Sequence, residues 1–581
     1  MQENGRWDLT PLYESLDDPR IDEDFGRLSK LVEGSRSFFE KEADAVDQII
    51  GGIELSEEMY ELVYRLAAYF SLVMNADTSI SKTVAYLNRI QGIMAGFQPF
   101  EVALKRLIAD QDIDELVKEE KLKQYEFMLR ESKATAGYLL DAGLEEMIAH
   151  LDIYGVGAWE NLFDQLTSTA SADLDGEKKT LTELRNLAYD PDQDVRHKAY
   201  EAELSLYPQL EKSLAGALNA IKGQVLYLTG KRGHASPLDE SLFSNRTSRE
   251  TLDAMIEAII EKRDIFVRYF KAKAKYFGQE SLHWADMFAP IGKLPSGYTV
   301  EGSREMLVSS FEKLHPPIAE LIDKAHEDNW IDFYPRENKV GGAFCFNLAI
   351  IRQSRVLSNF DGSYSAITTM AHELGHAYHG LRIEDHAPLN RSYTMPVAET
   401  ASTFNETHFV LEQIAASEDP EEKLGLLDSL LMGSGQSCCD ILSRFLFEKE
   451  VFERVANENL RSDDLQEIMH RAQLEGYGEG LDEDSLHPYM WACKGHYYSG
   501  SLSFYNYPYA FGALFSVALY KKALSDGPEF MKKYDEMLTA TTVSSSEETG
   551  ALVGLDLTDK QTWITSMEAF EPYVAEFERL V

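Results

Sequence analysis

Apolar side chains recur every three or four residues along most of the chain, and the strict alternation that is typical of half-buried strands is scarce. A clear example follows Thr247. There Thr247 and Glu250 form a capping-box pattern, and the apolar residues between Leu252 and Ile260 share one stripe. This pattern predicts a helix that begins at Thr247 and runs to about Phe270. We therefore predict a mostly α fold.

One segment departs from the helical pattern. Residues 331–362 are rich in β-branched and aromatic residues, and they contain glycines and an Asp-Gly turn. This composition predicts a small sheet. A helix follows directly, and either Asp361 or Ser363 is placed to cap its start.

The length of the chain indicates more than one lobe. It has 581 residues, whereas a single hydrophobic core stops growing at roughly 250–300 residues. The turn Asp190-Pro191-Asp192 separates two helical stretches, and we place a lobe boundary near residues 195–205.

The net charge is strongly acidic. Aspartate and glutamate number 98 against 56 lysines and arginines, which gives a formal charge of −42. Such a field repels nucleic acid and anionic membranes, so neither is expected as a partner. Solubility is the simplest purpose of this charge, although a mild preference for basic peptides is a further hypothesis.

The cysteines and the N-terminus favour a reducing, cytoplasmic location. The four cysteines show no CxxC spacing and no density typical of a disulfide scaffold. The first residues lack the basic start and apolar run of a signal peptide. The longest apolar runs, such as residues 510–520, are too short to span a bilayer.

The candidate chemistry lies in the pentapeptide His372-Glu373-Leu374-Gly375-His376. Residues four apart lie on one helix face, so His372 and His376 can present two imidazoles to a Zn²⁺ ion at about 2.0–2.1 Å. Glu373 then lies beside the metal and is suited to act as general base and afterwards as general acid. Two histidines on an ordinary helix face are the alternative interpretation.

The sequence after the pentapeptide argues against that alternative. A further predicted helix begins near Pro396 and carries Glu399 and Glu406, seven residues apart and hence on nearly the same stripe. Catalytic zinc needs a third protein ligand, and another carboxylate can orient a ligating histidine. Gly375 would let another backbone or a substrate approach the helix closely.

These motifs resemble those of the M3 peptidases, the group of thimet oligopeptidase and neurolysin, and most closely the oligoendopeptidase F branch. The resemblance covers nearly the whole chain. It rests on the pattern HExxHxxH, here residues 372–379, followed by Glu399 on the next helix. It implies one Zn²⁺ per chain, held by His372, His376 and Glu399, with Glu406 orienting a ligand. It assigns no role to His379.

The resemblance also implies two regions that contact the substrate. The segment 339–346 is similar to a glycine-containing edge strand beside the cleft, where Gly341, Gly342, Ala343 and Phe344 would bind the peptide backbone. For Lys339 and Cys345 an ordinary turn leading into a strand is the better interpretation.

The second region lies near the C-terminus. By position, His496 and Tyr509 would stabilise the oxyanion, and Tyr505 would bind substrate. The spacing between histidine and tyrosine differs slightly from the thimet type, and Gly495 replaces a proline expected in many oligoendopeptidases F. Which of Tyr505, Tyr507 and Tyr509 serves the oxyanion therefore stays open. Tyr497, Tyr498 and Tyr507 are better interpreted as core residues.

The fold implied by the resemblance is a two-lobed helical zincin with a deep central channel and a small β-sheet beside the active-site helix. Residues 1–200 would form an N-terminal helical lobe and residues 201–581 the catalytic domain. Such a channel would admit short unstructured peptides and exclude folded proteins.

The function predicted from these observations is zinc-dependent hydrolysis of internal peptide bonds in short oligopeptides. The nearest alternative is a metallocarboxypeptidase or dipeptidyl carboxypeptidase, which would need a cationic group for the substrate's terminal carboxylate. A non-catalytic peptide-binding protein is the alternative of another class, and the presence of Glu373 argues against it. The sequence leaves open the cleavage preference, the natural peptides, the oligomeric state and the metal used in the cell.

Overall fold

The computed structural model describes residues 5–40 and 42–581. Its fold is mostly α, as predicted. The N-terminal part begins with α1 (Pro19–Ser35), α2 (Ala45–Ala76), α3 (Ser81–Met94), α4 (Gln98–Ala109), α5 (Ile113–Leu116), α6 (Glu126–Ala136), α7 (Ala142–Tyr154) and α8 (Val156–Thr169).

A short hairpin and a long series of helices follow. The hairpin consists of β1 (Ser171–Leu174) and β2 (Glu177–Thr180). The helices up to the small sheet are α9 (Leu181–Asn186), α10 (Gln193–Leu204), α11 (Tyr207–Arg232), α12 (Pro237–Ser244), α13 (Arg249–Lys262), α14 (Asp264–Tyr276), α15 (Val300–Leu314) and α16 (Pro316–Glu327).

The remaining elements carry the predicted site. They are β3 (Ile331–Asp332), β4 (Phe344–Leu348), β5 (Gln353–Leu357), α17 (Tyr364–Ile383), α18 (Met395–Ala398), α19 (Thr400–Ala416), α20 (Pro420–Gly435), α21 (Ile441–Val455), α22 (Ser462–Tyr477), α23 (Tyr507–Asp526), α24 (Pro528–Ala540), α25 (Ser546–Leu552), α26 (Lys560–Glu568) and α27 (Glu571–Leu580).

The predicted small sheet is confirmed. Its order is β3-β5-β4, with β3 parallel and β4 antiparallel to β5. Strand β4 is therefore an edge strand. The hairpin β1–β2 was not predicted, although Asp175-Gly176 is a hairpin turn signal, and both residues have a positive φ, 53° and 89°.

The capping box predicted at Thr247 is wrong. The Ser248 hydroxyl caps α13 by accepting a hydrogen bond from the Thr251 N–H at 3.1 Å, while the Thr247 hydroxyl lies 2.8 Å from that of Ser546. The predicted run to Phe270 is also divided, because α13 ends at Lys262 and α14 starts at Asp264. Both helices bury apolar faces in one core, so the hydrophobic pattern continues across the break.

Buried apolar side chains form two clusters. One contains residues from Trp7 to Leu129 together with Leu348 and Leu357 from the sheet. The other extends from Val156 to Phe577. The two-lobed architecture is thus confirmed, with the sheet contributing to the N-terminal cluster. The division at residue 200 stays a prediction.

A cavity lies where the N-terminal helices meet the sheet and α17. This cavity of about 360 Å³ is bounded by Tyr60 and Tyr64 of α2 on one side and by Phe346 of β4, Gly380 of α17 and Tyr393 on the other. In the part of the chain that the structure describes, no helix is both long and apolar enough to cross a bilayer.

Candidate metal centre and catalytic site

Helix α17 carries the pentapeptide, and its start is capped as predicted. The Ser363 hydroxyl accepts a hydrogen bond from the Ala366 N–H at 3.1 Å, and the Asp361 carboxylate accepts one from the Ser363 N–H at 2.9 Å. At Gly375 an added Cβ would lie 2.5 Å from the carbonyl oxygen of Ala401. Glycine at this position therefore allows α19 to approach α17 closely, which confirms the prediction for Gly375.

The predicted ligands converge. The Glu399 Oε2 atom lies 3.2 Å from His372 Nε2 and 3.4 Å from His376 Nε2. The sequence predicted one helix containing both Pro396 and Glu399. In the structure Glu399 lies instead at the junction of α18 and α19, with φ −87° and ψ 4°. Pro396 occupies the first turn of α18. The short helix and the turn at Glu399 point its carboxylate back toward α17.

Two neighbours hold the ligand side chains in place. His372 Nδ1 lies 3.0 Å from Glu406 Oε2, so it is Nε2 that is turned toward Glu399. The Ser402 hydroxyl donates to Glu399 Oε2 at 2.8 Å. Ser402 was missed by sequence analysis, although a hydroxyl three residues after a helix-start glutamate is a position from which it can reach that carboxylate.

The pKa shifts follow from this arrangement. Burial alone would lower the pKa of His372, but the hydrogen bonds that its ring donates to Glu399 and Glu406 outweigh burial and raise the pKa to about 10. Burial would raise the pKa of Glu399, yet its contacts with the two histidines hold it well below its usual range. Without a metal, the attraction between the protonated His372 ring and the ionised Glu399 carboxylate therefore stabilises the cluster.

Glu373 lies beside this cluster, because it precedes His376 by three residues on α17 and its carboxylate interacts with both histidines. It is buried, and burial raises its pKa, while the nearby histidines act in the opposite direction. The Cys345 backbone N–H lies within hydrogen-bonding reach of its carboxylate. A buried carboxylate with a raised pKa next to two potential metal ligands is suited to proton transfer.

Strand β4 runs beside Glu373. The Asn347 side chain donates to the His376 carbonyl at 3.1 Å, and at Gly380 an added Cβ would lie 2.3 Å from the Asn347 side chain. These contacts fix the edge strand against α17. Neither Asn347 nor Gly380 was predicted from the sequence.

The predicted substrate-binding segment leads into β4. Gly341, Gly342 and Ala343 precede the strand, Gly342 has φ 78°, and Phe344 is the first residue of β4. Lys339 is structural, as expected, because its ammonium group lies 2.7 Å from the Asp332 carboxylate.

Tyr509 lies in the same cavity as two of the candidate metal ligands. With His372, Glu399 and Glu406 it lines a cavity of about 380 Å³, and at Gly512 an added Cβ would lie 3.0 Å from the Glu399 Cβ. Helix α23 is thus packed directly on Glu399. The hydroxyl groups of Tyr505 and Tyr509 share a hydrogen bond. Burial and this bond raise the pKa of Tyr509, which remains a neutral O–H donor.

His496 is connected to Tyr509 through the ring of Tyr505, which lies next to both. Its ring is 5.9 Å from that of Tyr505, which in turn is 5.4 Å from that of Tyr509. Burial and the nearby Arg444 charge lower its pKa to about 2, so it is neutral. Among residues 5–40 and 42–581, its Nε2 atom has no hydrogen-bond partner.

The other residues considered in the sequence belong to the core. Tyr497, Tyr498 and Tyr507 are fully buried, as the core interpretation expects. His379 Nε2 lies 2.7 Å from the Thr541 hydroxyl. Its ring stacks on Tyr393 at 4.2 Å, so it takes no part in the cluster around Glu399.

A second group of potential metal ligands consists of His197, His283 and Asp286. Its only carboxylate is already neutralised, because the Arg196 guanidinium donates to Asp286 Oδ1 at 2.7 and 2.9 Å. The chemistry of this donor set therefore fits a metal less well than the cluster at Glu399, whose carboxylate, among the described residues, contacts the two histidines and a hydroxyl but no arginine or lysine.

The chain is similar in sequence and structure to known peptidases. The profile described as "Peptidase family M3" matches residues 186–569, and the profile described as "Oligopeptidase F" matches residues 107–171. The chain is 22% identical to the Oligopeptidase PepF of Bacillus subtilis, covering 99% of this chain and 87% of that protein.

Two other relatives extend nearly end to end. The chain is 23% identical to an Oligoendopeptidase F homolog of Lactococcus lactis subsp. lactis, covering 99% of this chain and 97% of that protein. The crystal structure of oligoendopeptidase-F from Enterococcus faecium superposes with a TM-score of 0.71 at 20% identity, covering 97% of this chain and 98% of that one.

Proposed function

The chain belongs to peptidase family M3, and from that premise we propose that it is a zinc-dependent endopeptidase that hydrolyses internal bonds of short peptides. One Zn²⁺ per chain, short peptides as partners and a cytoplasmic location are parts of this proposal. The names of the Bacillus and Lactococcus relatives support it. The observation that carries it is the convergence of His372, His376 and Glu399 on one point beside the buried Glu373.

The donor set suits zinc. Ligand atoms of His372, His376 and Glu399 lie within 4.8 Å of one another, and two imidazole nitrogens with one carboxylate oxygen form a common set at catalytic zinc. The contact of His372 Nδ1 with Glu406 leaves Nε2 as the ligating atom. When bound, zinc would polarise the substrate carbonyl and lower the pKa of a coordinated water to about 7.

Glu373 moves the protons in this mechanism. Its carboxylate accepts a proton from the attacking water and afterwards donates it to the departing amine. Burial keeps this carboxylate out of bulk solvent, and the Cys345 backbone N–H helps to fix its position. A raised pKa makes the protonated form easier to reach, which favours the second half of the cycle.

Tyr509 stabilises the negative charge that develops on the carbonyl oxygen. Its hydroxyl is neutral and lines the same cavity as His372 and Glu399. An O–H donor directed at an oxyanion in a site with little water is worth more than the same bond in bulk solvent. Tyr505 supports Tyr509 through the bond between their hydroxyl groups. His496 packs behind Tyr505, and we assign it a supporting role in orienting these tyrosines.

The edge strand β4 holds the substrate backbone. Because β5 occupies only one side of β4, an extended peptide can pair with the other side, guided by the segment from Gly341 to Phe344. Main-chain pairing depends little on side-chain sequence. The proposal therefore includes many short peptides as substrates.

The proposal is tested with a quenched fluorescent oligopeptide that is blocked at both ends. Cleavage is measured for the wild-type protein and for Glu373→Gln, each with and without a metal chelator. We expect the wild type to cut internally, and both the chelator and the substitution to abolish cutting. If the wild type leaves the blocked peptide intact but trims a peptide with a free C-terminus, the carboxypeptidase alternative replaces the proposal. No cutting of either peptide would favour a non-catalytic binding role.

A further inference from the structure

Phe504 has an unusual backbone conformation directly before the tyrosine pair. Its φ is 54°, in the left-handed region that a bulky side chain rarely adopts. Among the described residues other than glycine, Phe504 is the only one that is both buried and at a positive φ. Such a conformation persists only where the surrounding structure imposes it, and it is found most often at functional sites. The contacts that hold Phe504 therefore bear on the function of this region.

A buried ion pair holds the backbone of Phe504. The Glu448 Oε2 atom on α21 accepts a hydrogen bond from the Phe504 N–H at 3.1 Å. The other carboxylate oxygen, Oε1, accepts one from the Lys222 ammonium group at 2.7 Å. Both side chains of the ion pair are 1% exposed. Because each carboxylate oxygen has its own partner, Lys222 balances the charge of Glu448 while Glu448 binds the N–H group of Phe504.

Aromatic side chains hold Phe504 from the other side. Its ring packs against those of Phe445 and Phe452, and both pairs of ring centres are 5.6 Å apart. The Lys222 ammonium group lies over the Phe452 ring, 4.7 Å from its centre. The ion pair and the aromatic rings thus form one packed group, which holds Phe504 by its side chain as well as by its N–H.

Helix α21 also holds the residue that follows Tyr505. Arg444 lies four residues before Glu448, hence on the same face of the helix. Its guanidinium group donates to Asn506 Oδ1 at 3.0 Å. The residues directly before and directly after Tyr505 are therefore both bound to one face of α21.

This arrangement determines where the Tyr505 hydroxyl lies. That hydroxyl shares a hydrogen bond with the Tyr509 hydroxyl, and Tyr509 lines the cavity of His372 and Glu399. A change of φ at Phe504 to a negative value would turn the chain that follows, and it would move the Tyr505 side chain away from this bond. The left-handed conformation of Phe504 is therefore required for the contact between the two tyrosines.

We propose that Glu448 is a positioning residue for the peptidase reaction and that Lys222 supports it by balancing its charge. The bond from the Phe504 N–H to Glu448 holds the left-handed turn, and this turn places the Tyr505 hydroxyl against that of Tyr509. Tyr509 then presents its O–H group to the oxyanion in a fixed position. This inference rests on the proposed function and adds to it two residues that do not line the catalytic cavity.

A purely structural role of the ion pair makes a different prediction. Replacement of both charges of a buried ion pair by apolar side chains of similar volume is often neutral or stabilising. If Glu448 and Lys222 only filled the core, such a replacement would leave catalysis unchanged. If Glu448 positions the tyrosines, the replacement lowers kcat although the protein still folds and still binds zinc.

The test compares two double variants that differ only in the hydrogen-bond acceptor. Lys222→Met/Glu448→Gln keeps a side-chain carbonyl oxygen that can accept from the Phe504 N–H, whereas Lys222→Met/Glu448→Leu has no acceptor. For each variant, kcat and KM are measured on the doubly blocked peptide, together with the zinc content. Glu453→Gln is the matched control, because it removes an exposed carboxylate from the same helix.

We expect Lys222→Met/Glu448→Leu to lower kcat by about tenfold, because one hydrogen bond that supports the oxyanion donor is lost. Its zinc content and KM should stay close to those of the wild type. Lys222→Met/Glu448→Gln should retain most of kcat, and Glu453→Gln all of it. Addition of Tyr505→Phe to the leucine variant should cause little further loss, since both changes remove the same support of Tyr509.

Equal kcat values in the two double variants would overturn the inference, as would losses that multiply when Tyr505→Phe is added. If circular dichroism shows that the leucine variant does not fold, Glu448→Asp takes its place. Aspartate keeps a negative charge beside Lys222 but is shorter by one methylene, so its bond to the Phe504 N–H should weaken and kcat should fall. A kcat equal to that of the wild type in Glu448→Asp would then contradict the inference.

Crystal structures of the two double variants separate this inference from the proposed function. We expect the φ of Phe504 and the contact between the Tyr505 and Tyr509 hydroxyl groups to be unchanged in the glutamine variant. In the leucine variant the two hydroxyl groups should lie beyond hydrogen-bonding distance. If their contact persists there, the positioning role is wrong even in an active peptidase. If the wild type cuts no peptide, the proposed function fails, and these structures alone decide whether Glu448 positions the tyrosines.

Discussion

On the two walls of the cavity lined by His372, Glu399 and Tyr509, the side chains assigned to the site differ in how completely they are paired. On the wall formed by α17 and α19, His372 has a carboxylate partner at each ring nitrogen, and Glu399 contacts both histidines and the Ser402 hydroxyl. In the segment 494–509, which reaches the cavity at Tyr509, two polar atoms near the tyrosine pair have no hydrogen-bond partner within the described ranges. These atoms are His496 Nε2 and the Asn506 amide nitrogen.

This difference indicates two roles. The first wall is preorganised before any ligand arrives, because its side chains hold one another at nearly the positions that a metal requires. The second wall keeps buried donors and acceptors whose desolvation is not compensated, each at a cost of about 1–3 kcal/mol. Functional sites are where such costs persist. The paired wall would hold the metal, and the unpaired wall would meet the substrate.

The largest expected effect comes from breaking the paired wall at its centre. Glu399→Gln removes the charge that both histidines contact, so zinc should be lost and peptide cleavage should fall by about a thousandfold or more. Zinc content by elemental analysis and kcat/KM on the blocked peptide measure the two effects. Glu412→Gln is the matched control on the same helix, where the glutamate pairs with Lys313 instead. Full zinc content in Glu399→Gln would contradict the assignment.

Smaller losses of activity are expected from substitutions in the segment 494–509, and they distinguish the role of Tyr509 from that of Tyr505. Tyr509→Phe should lower kcat by about 10²–10³ and leave the zinc content unchanged, because it removes one donor to the oxyanion. Tyr505→Phe removes only the support of the Tyr509 hydroxyl, so a loss of about tenfold is expected. Steady-state kinetics on one peptide compare the two variants. A larger loss in Tyr505→Phe would exchange their roles.

The smallest effect concerns the outer part of the paired wall. Glu406→Gln should weaken zinc binding by about 10- to 100-fold, since Glu406 orients His372 without contacting Glu399. The pKa of His372 in the metal-free protein is raised to about 10, so zinc must displace a proton at neutral pH.

Zinc affinity of the wild type should therefore rise between pH 6.5 and pH 10. The stability that the ion pairs of His372 give to the metal-free protein is present below the unfolded pKa and is lost as the pH rises through about 10. Calorimetry in two buffers of different ionisation enthalpy measures the released proton at pH 8. Equal heats in both buffers would contradict the raised pKa of His372. Zinc binding to Glu406→Gln should release fewer protons than zinc binding to the wild type.

Much of the paired wall could be predicted from the sequence because local spacing determines it. Residues four apart share a helix face, so His372 and His376 were expected together, and Gly375 between them signalled a close approach. The small sheet followed from its β-branched and aromatic composition. For Glu399, spacing alone gave two candidates, Glu399 and Glu406, and only the fold distinguishes the one that faces both histidines.

The rest depends on contacts between distant parts of the chain. Nothing local in the sequence indicates that Asn347 bonds the carbonyl of His376 or that Gly512 brings α23 onto Glu399. The break between α13 and α14 was missed for the opposite reason, because the local apolar pattern continues through Arg263 although the helix does not.

The most direct test of the account is a zinc titration of the metal-free protein, followed by cleavage of a doubly blocked peptide. The account predicts no cleavage before zinc is added, and a rise that levels off at one zinc per chain. It also predicts that Glu373→Gln takes up the same amount of zinc and stays inactive. Cleavage by the metal-free protein, or activity of zinc-loaded Glu373→Gln close to that of the wild type, would contradict the account.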